Sequence, residues 1–109
     1  APYAEFAASS FIALDRQSLG DKLALNTRVM QFAPVAPVVY RQAILLGLDG
    51  QEEAARRQFT LAMRAYPHAL PPVVTTLESL RAAYPGTFDA LIELATLQNG
   101  ERRAPGAVQ

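Results

Sequence analysis

The chain has no cysteine. That excludes a disulfide framework, thiol catalysis and thiolate metal sites. It assigns no compartment: the absence suits an oxidising space such as the periplasm, and many cytosolic domains share it. Net charge is missing as well, because ten acidic residues cancel ten basic ones. Neither a basic footprint for nucleic acid nor a polybasic membrane patch is visible in this composition. There is no long apolar run. The longest candidate, residues 32–48, is interrupted by Pro34, Pro37, Arg41 and Gln42, whereas a membrane span needs about 20 apolar residues. Nothing resembles a signal peptide. The chain opens on Ala1-Pro2, as expected of an excised or processed piece of a longer protein.

Catalytic signatures are scarce too. The single histidine, His68, follows Tyr66-Pro67 in a connector. A catalytic imidazole needs a nucleophile or a carboxylate to orient it. Glu53 and Glu78 are the nearest carboxylates in sequence, and neither belongs to a motif, so His68 reads as a surface-loop residue. No Gly-rich phosphate loop, metal-ligand spacing or nucleophile elbow occurs. Asp15, Asp21, Asp49, Glu52 and Asp89 all fall near helix starts or turns, where capping accounts for them. No catalytic residue, metal site or cofactor is expected from these residues alone.

What the sequence does contain is helical periodicity. Of its 109 residues half are apolar and 18% charged, ordinary for one small domain with a single core. Tyr3, Phe6, Ala7, Ser10, Phe11 and Leu14 recur at steps of three and four and predict a helix over residues 1–14. A polar break follows at 15–18, and Asp21 after Gly20 predicts an N-cap. In the next helix Leu25, Val29 and Phe32 form one stripe, with Leu23, Asn26 and Met30 beside it, until Pro34 ends it. A kinked continuous helix over 3–33 fits the same spacing.

Pro37 suits a helix first turn. After it, Val39, Ala43, Leu46, Ile44, Leu45 and Leu48 give an apolar face broad enough for burial on more than one side. Gly47 weakens that helix but allows a close neighbour. Asp49-Gly50-Gln51-Glu52 resembles a turn and capping box, with Asp49 as N-cap and Glu52 reaching back. Glu52 and Glu53 precede Arg56 and Arg57 by four residues, as helix-supporting ion pairs do. Leu70-Pro71-Pro72 opens a further helix with Val73, Leu77, Leu80 and Tyr84 on one face, ended by Pro85-Gly86. Thr87 is placed to cap a last helix with Phe88, Leu91, Ile92 and Ala95 on its face. Residues 99–109 lose periodicity and are expected to form a disordered tail, leaving 1–98 as a single domain.

The organising stretch is residues 35–67. Ala55, Phe59, Ala62 and Pro67 have the spacing of a tetratricopeptide (TPR) helical hairpin. Small alanines let the partner helix approach, Phe59 fills the gap between them, and Pro67 follows the last turn. The front half departs from that pattern: Val39 stands at the usual large aromatic, Gln42-Ala43 at Leu-Gly and Leu46 at Tyr. Arg64-Ala65-Tyr66-Pro67-His68 recurs in outline as Arg81-Ala82-Ala83-Tyr84-Pro85-Gly86, each a helix ending in Tyr-Pro. The expected fold is therefore all-α: antiparallel helical hairpins in a TPR-like, right-handed α-solenoid fragment of about five to six helices. Arg41, Arg56, Arg57 and Arg64 could line one groove of the hairpin and grip carboxylate or phosphate. The simpler reading is a solvated face balanced by Glu52 and Glu53. Tyr66 and Tyr84 read as packing caps more readily than as sugar-stacking platforms.

The run 28–34, Tyr40-Arg41-Gln42-Ala43, Leu45-Leu46-Gly47-Leu48 with Gly50, Glu53-Ala54 and Arg56, residues 62–67, Leu77, Leu80, Tyr84-Pro85 and Phe88 carry a family resemblance. Over residues 19–95 the chain resembles the C-terminal soluble region of bacterial membrane-bound O-oligosaccharyltransferases. These are the pilin-glycosylation ligases, relatives of O-antigen ligases and polymerases. The resemblance implies a parent whose polytopic membrane portion transfers a glycan from a lipid diphosphate carrier to a protein hydroxyl. It implies for this chain a periplasmic accessory domain at the inner membrane, contacting an acceptor such as pilin or the parent's membrane portion. The family's catalytic motifs lie in that membrane portion and none occurs here. Membrane attachment would come only through an upstream region, and no nucleic acid is implied. A free-standing TPR-like protein–protein interaction module is the alternative, and it predicts peptide binding by the isolated chain.

Overall fold

A computed structural model describes the backbone of residues 7–108 and the side chains of residues 7–98. The described residues form five α-helices and two short 3-10 turns, with no strand among them. The helices are α1 (Arg16–Phe32), α2 (Ala36–Leu48), α3 (Glu52–Ala65), α4 (Leu70–Ala83) and α5 (Asp89–Val108). The expected tail over 99–109 has its side chains outside the described residues, and residues 1–6 of the expected first helix lie outside them altogether.

α2 is the centre. Eight of its thirteen residues are buried, among them Val38, Tyr40, Gln42, Ala43 and Ile44. The broad apolar face read from its sequence is covered by α1 on one side and α3 on the other. α3 contributes Ala55, Phe59 and Ala62, all at 2% exposure or less. Phe59 meets Tyr40 edge to face, with ring centroids 5.7 Å apart, an arrangement that adds about 0.5–1.5 kcal/mol beyond burial. Phe59 and Ala62 thus join the core cluster that the residues of α2 form. α4 brings Leu70, Val73, Leu77 and Leu80 into the same core, and α5 adds Phe88, Leu91 and Ala95.

Gly47 shows how close α2 and the start of α5 come. A Cβ built there would stand 3.1 Å from the Phe88 ring. The expected close approach is present, and it is Phe88 that fills the place of the missing side chain.

Three tyrosine hydroxyls fasten connectors to the bundle. Tyr40 donates to the Tyr66 carbonyl at 2.8 Å, Tyr66 to the Pro34 carbonyl at 2.6 Å, and Tyr84 to the Phe11 carbonyl at 2.9 Å. Each accepting carbonyl stands beside a helix terminus or in a 3-10 turn, and that of Tyr66 also accepts from the Ala69 amide. Tyr66 and Tyr84 are packing caps, as their place before prolines suggested.

Several sequence expectations are corrected. The described part of 1–14 is no α-helix. It is a 3-10 turn over Ala8–Phe11, followed by extended Ile12 and by Ala13 in the left-handed region at φ 63°. Asp15, not Asp21, is the N-cap of α1: its Oδ1 accepts from the Ser18 amide at 2.7 Å. Gly20 and Asp21 lie inside the helix, and the extended Ile12 and left-handed Ala13 before it exclude the continuous helix from 3 to 33 as well. The Leu25, Val29 and Phe32 stripe faces outward at 58%, 36% and 82% exposure. The covered face of α1 consists of Leu19 and Asn26, with Leu23 and Met30 packed partly against the core.

Asp49 closes α2 rather than opening α3: its amide donates to the Leu45 carbonyl, and Gly50 turns the chain at φ 82°. Gln51 holds the N-cap position without a side-chain cap, so the box with Glu52 does not form. Arg56 pairs with Glu53 at 3.8 Å, three residues back, instead of with Glu52 four back. The Phe88 carbonyl accepts the first helical bond of α5, from the Ile92 amide. Phe88 therefore takes the capping position expected for Thr87.

Candidate functional site

The four arginines proposed for one groove are divided by the fold. Arg56, Arg57 and Arg64 are exposed on α3. Arg57 and Arg64, seven residues apart, share a face at the helical repeat of about 3.6. Arg41 belongs to α2 and points to the seam with α1, where its guanidinium donates to Asn26 Oδ1 at 3.2 Å. Tyr66 is half-buried with its hydroxyl committed to Pro34. Ala55, Phe59 and Ala62 are core residues, and Pro67 opens the short turn Pro67–Ala69 after α3.

The outer face of α3 meets α5 in a cleft of about 390 Å³, lined by Glu53, Arg56, Arg57, Thr60, Leu61 and Leu94. Leu61 is 59% exposed there, and Leu97 of α5 is exposed as well. The cleft combines an apolar floor with two guanidinium groups at its rim, the composition that suits a polypeptide carrying an apolar side chain near a carboxylate. Arg56 also lines a second cleft of about 300 Å³, which runs past Gly47 and Gly50 to Tyr84 and Leu91. The Glu53 ion pair is exposed on both sides, so it restrains Arg56 only weakly.

The other polar constellation lies on the opposite side of α2. Asn26 is 3% exposed. Its Nδ2 donates to the Val38 carbonyl at 3.0 Å and to Gln42 Oε1 at 2.9 Å. Gln42 Nε2 donates to Thr27 Oγ1 at 2.8 Å, and Thr27 Oγ1 donates in turn to the Leu23 carbonyl at 2.8 Å. No buried side-chain nitrogen or oxygen among the described residues lacks a partner. A network satisfied in this way fixes the register of α1 on α2 and leaves no unpaired group for chemistry. Periodicity did not reveal it, although a signal was present: Gln42 interrupts an otherwise apolar helix, and Asn26 sits on the flank of an apolar stripe. Arg41 and Asn26, with Ser10, Lys22, Leu25 and Val29, line a cleft of about 290 Å³ beside this network.

His68 is exposed in the turn after α3, edge-on to the Tyr66 ring at 6.3 Å. Among the described residues no three of His, Asp and Glu stand close enough to hold a metal ion. The Ser18 amide donating to Asp15 holds its carboxyl below the ordinary carboxylate value. No described helix is long and apolar enough to cross a membrane.

Compared with known proteins, residues 1–78 match the family described as virulence factor membrane-bound polymerase, C-terminal. The matched stretch runs into α4 and includes Arg41, Arg56, Arg57, Arg64 and Tyr66. No curated protein and no solved structure matches the chain.

Proposed function

The chain belongs to the family of virulence-factor membrane-bound polymerase C-terminal regions, and from that membership we propose that it is an accessory helical domain of a membrane glycosyltransferase. In this reading the parent is a protein O-oligosaccharyltransferase of the pilin-glycosylation type, and its membrane portion transfers the lipid-linked glycan. This chain sits on the periplasmic face of the inner membrane and positions the protein acceptor, with its α2–α3 hairpin acting as a TPR-like unit. One observation carries the assignment to a site: α3 joins an apolar floor of Leu61 and Leu94 to the exposed guanidinium groups of Arg56 and Arg57. The buried polar side chains among the described residues are engaged in structural hydrogen bonds, and in this reading the chain contributes binding and orientation. Holding an acceptor near a reaction centre raises its effective concentration without any new chemistry.

The test uses the membrane-embedded parent. Arg56→Glu with Arg57→Glu reverses the charge of the rim at two exposed positions. Glycan transfer to the folded protein acceptor is expected to fall by about tenfold or more, with the helical content of the domain unchanged. Transfer at the unmodified rate would remove the α3 face from acceptor recognition.

A further inference from the structure

Phe32 is 82% exposed, with Leu25 at 58% and Val29 at 36% on the same helix, and Val35 at 49% follows just beyond its end. At about 100° per residue, Leu25, Val29 and Phe32 fall within a sector of about 60°. Lys22 lies about 60° to one side of Leu25 on that wheel and Arg28 about 60° to the other, and both are exposed. Asp21 is an acid on the same side of the helix. Arg41 adds a further cation in the cleft that Leu25 and Val29 line. The outward side of α1 is thus an apolar strip of about two turns, with Lys22 along one edge and Arg28 and Asp21 along the other. The buried residues of α1, Leu19 and Asn26, belong to its other side.

We propose that this side of α1 lies on the surface of a bilayer containing anionic phospholipid. The apolar strip enters the boundary between headgroups and acyl chains, and Lys22 and Arg28 meet lipid phosphates. Amphipathic helices lie in this plane when an apolar strip is edged by Lys and Arg. Two flanking cations suffice for such a contact without a polybasic run, since the apolar side chains supply the remainder. A second copy of the chain is a poorer occupant. A two-fold pairing centred on the strip brings Arg28 towards its own counterpart, and self-association of that symmetry opposes like charges. The family is that of a membrane-bound polymerase, so a bilayer is at hand. The contact is independent of the acceptor reading, which concerns α3.

The chain contains no tryptophan, so Phe32→Trp creates a single fluorescent reporter at a site where the fold is indifferent to the change. The 109-residue chain carrying it is mixed with vesicles of phosphatidylcholine alone or with phosphatidylglycerol. A blue shift and co-flotation are expected with the phosphatidylglycerol vesicles, both weakened by added salt. Lys22→Gln with Arg28→Gln should lower partitioning by about 25-fold, at about fivefold per cation near an anionic surface. In flotation without the reporter, Leu25→Ser with Phe32→Ser should lower it by about tenfold or more. Leu61→Ser, at an equally exposed leucine on α3, should leave it unchanged. Circular dichroism establishes that each variant is folded. The proposal is overturned by any of three results: no binding to protein-free phosphatidylglycerol vesicles, equal loss in Leu61→Ser, or a dimer that the strip substitutions return to monomer.

Discussion

α1 and α3 carry the same kind of sequence signal and put it to opposite uses. In α3 the residues at helical spacing, Ala55, Phe59 and Ala62, are the ones the core takes in. In α1 the stripe of Leu25, Val29 and Phe32 is left outside, and the helix is seated through Leu19 and Asn26. Periodicity therefore shows that a helix has two unlike sides, but not which of them meets a neighbour. For α3 the matter is settled locally, because the side opposite its apolar residues carries Glu53, Arg56, Arg57 and Arg64, which do not bury unpaired. For α1 both sides can be covered. The polar side finds in α2 a partner with matching donors and acceptors, and once Asn26, Thr27 and Gln42 are joined their burial no longer costs an unmade hydrogen bond.

The contrast can be attacked by substitution, and the largest effect belongs to the phenylalanines. Phe59→Ala should destabilise the chain by about 3–5 kcal/mol through lost burial and a residual cavity. Phe32→Ala should change stability by no more than about 0.5 kcal/mol. Urea unfolding followed by circular dichroism reads both, and comparable losses would mean that α1 is seated the other way round. Asn26→Ala comes next. It removes the donor to the Val38 carbonyl and to Gln42, and the partners left behind in a buried seam should cost about 1–3 kcal/mol. Stability equal to the parent chain would show that water or a rotated Gln42 replaces the network.

Smaller effects follow at the connectors. Tyr84→Phe deletes the hydroxyl that holds the Phe11 carbonyl, and a loss of about 0.5–1.5 kcal/mol is expected. Amide exchange in the turn Ala8–Phe11 should quicken in the same variant, which separates a local fastening from a general weakening. The smallest effect is at Asp15. Its folded carboxyl titrates below the ordinary 3.8, so the unfolded chain takes up this proton first on acidification. The stabilisation is complete above the unfolded value and is lost as pH falls through the lower, folded one. Asp15→Asn keeps an oxygen acceptor for the Ser18 amide and does not titrate there. The difference in unfolding midpoint between the two chains should therefore vary only below about pH 5, the region in which such a carboxylate begins to take up its proton.

Much of the secondary structure could be read from local chemistry. Pro34, Tyr66-Pro67 and Tyr84-Pro85 end helices where the ring removes a donor and constrains the residue before it. The α2–α3 hairpin, the burial of its alanines and phenylalanine, and the absence of strands among the described residues follow from spacing. Caps were harder to read. Asp15, Asp21 and Asp49 are equivalent in sequence, and only the path of the chain around them selects Asp15. Among the candidate site residues, Arg56, Arg57 and Arg64 ride on one helix, and Arg56 and Arg57 line one cleft. Arg41 is set apart from them, because its guanidinium donates to Asn26 across the α1–α2 seam.

The sequence by itself determined that the chain is helical, where most of its helices stop, and that α2 is buried on two sides, because each of these depends on residues within a turn or two of one another. Tertiary structure decided which side of α1 faces inward, which arginines share a surface, and that the tyrosine hydroxyls fasten the connectors. Those outcomes depend on groups up to 73 residues apart, as in the bond from Tyr84 to Phe11. The free energy of such a contact is realised only when a distant partner supplies the complementary atom, and no local pattern records which partner that will be.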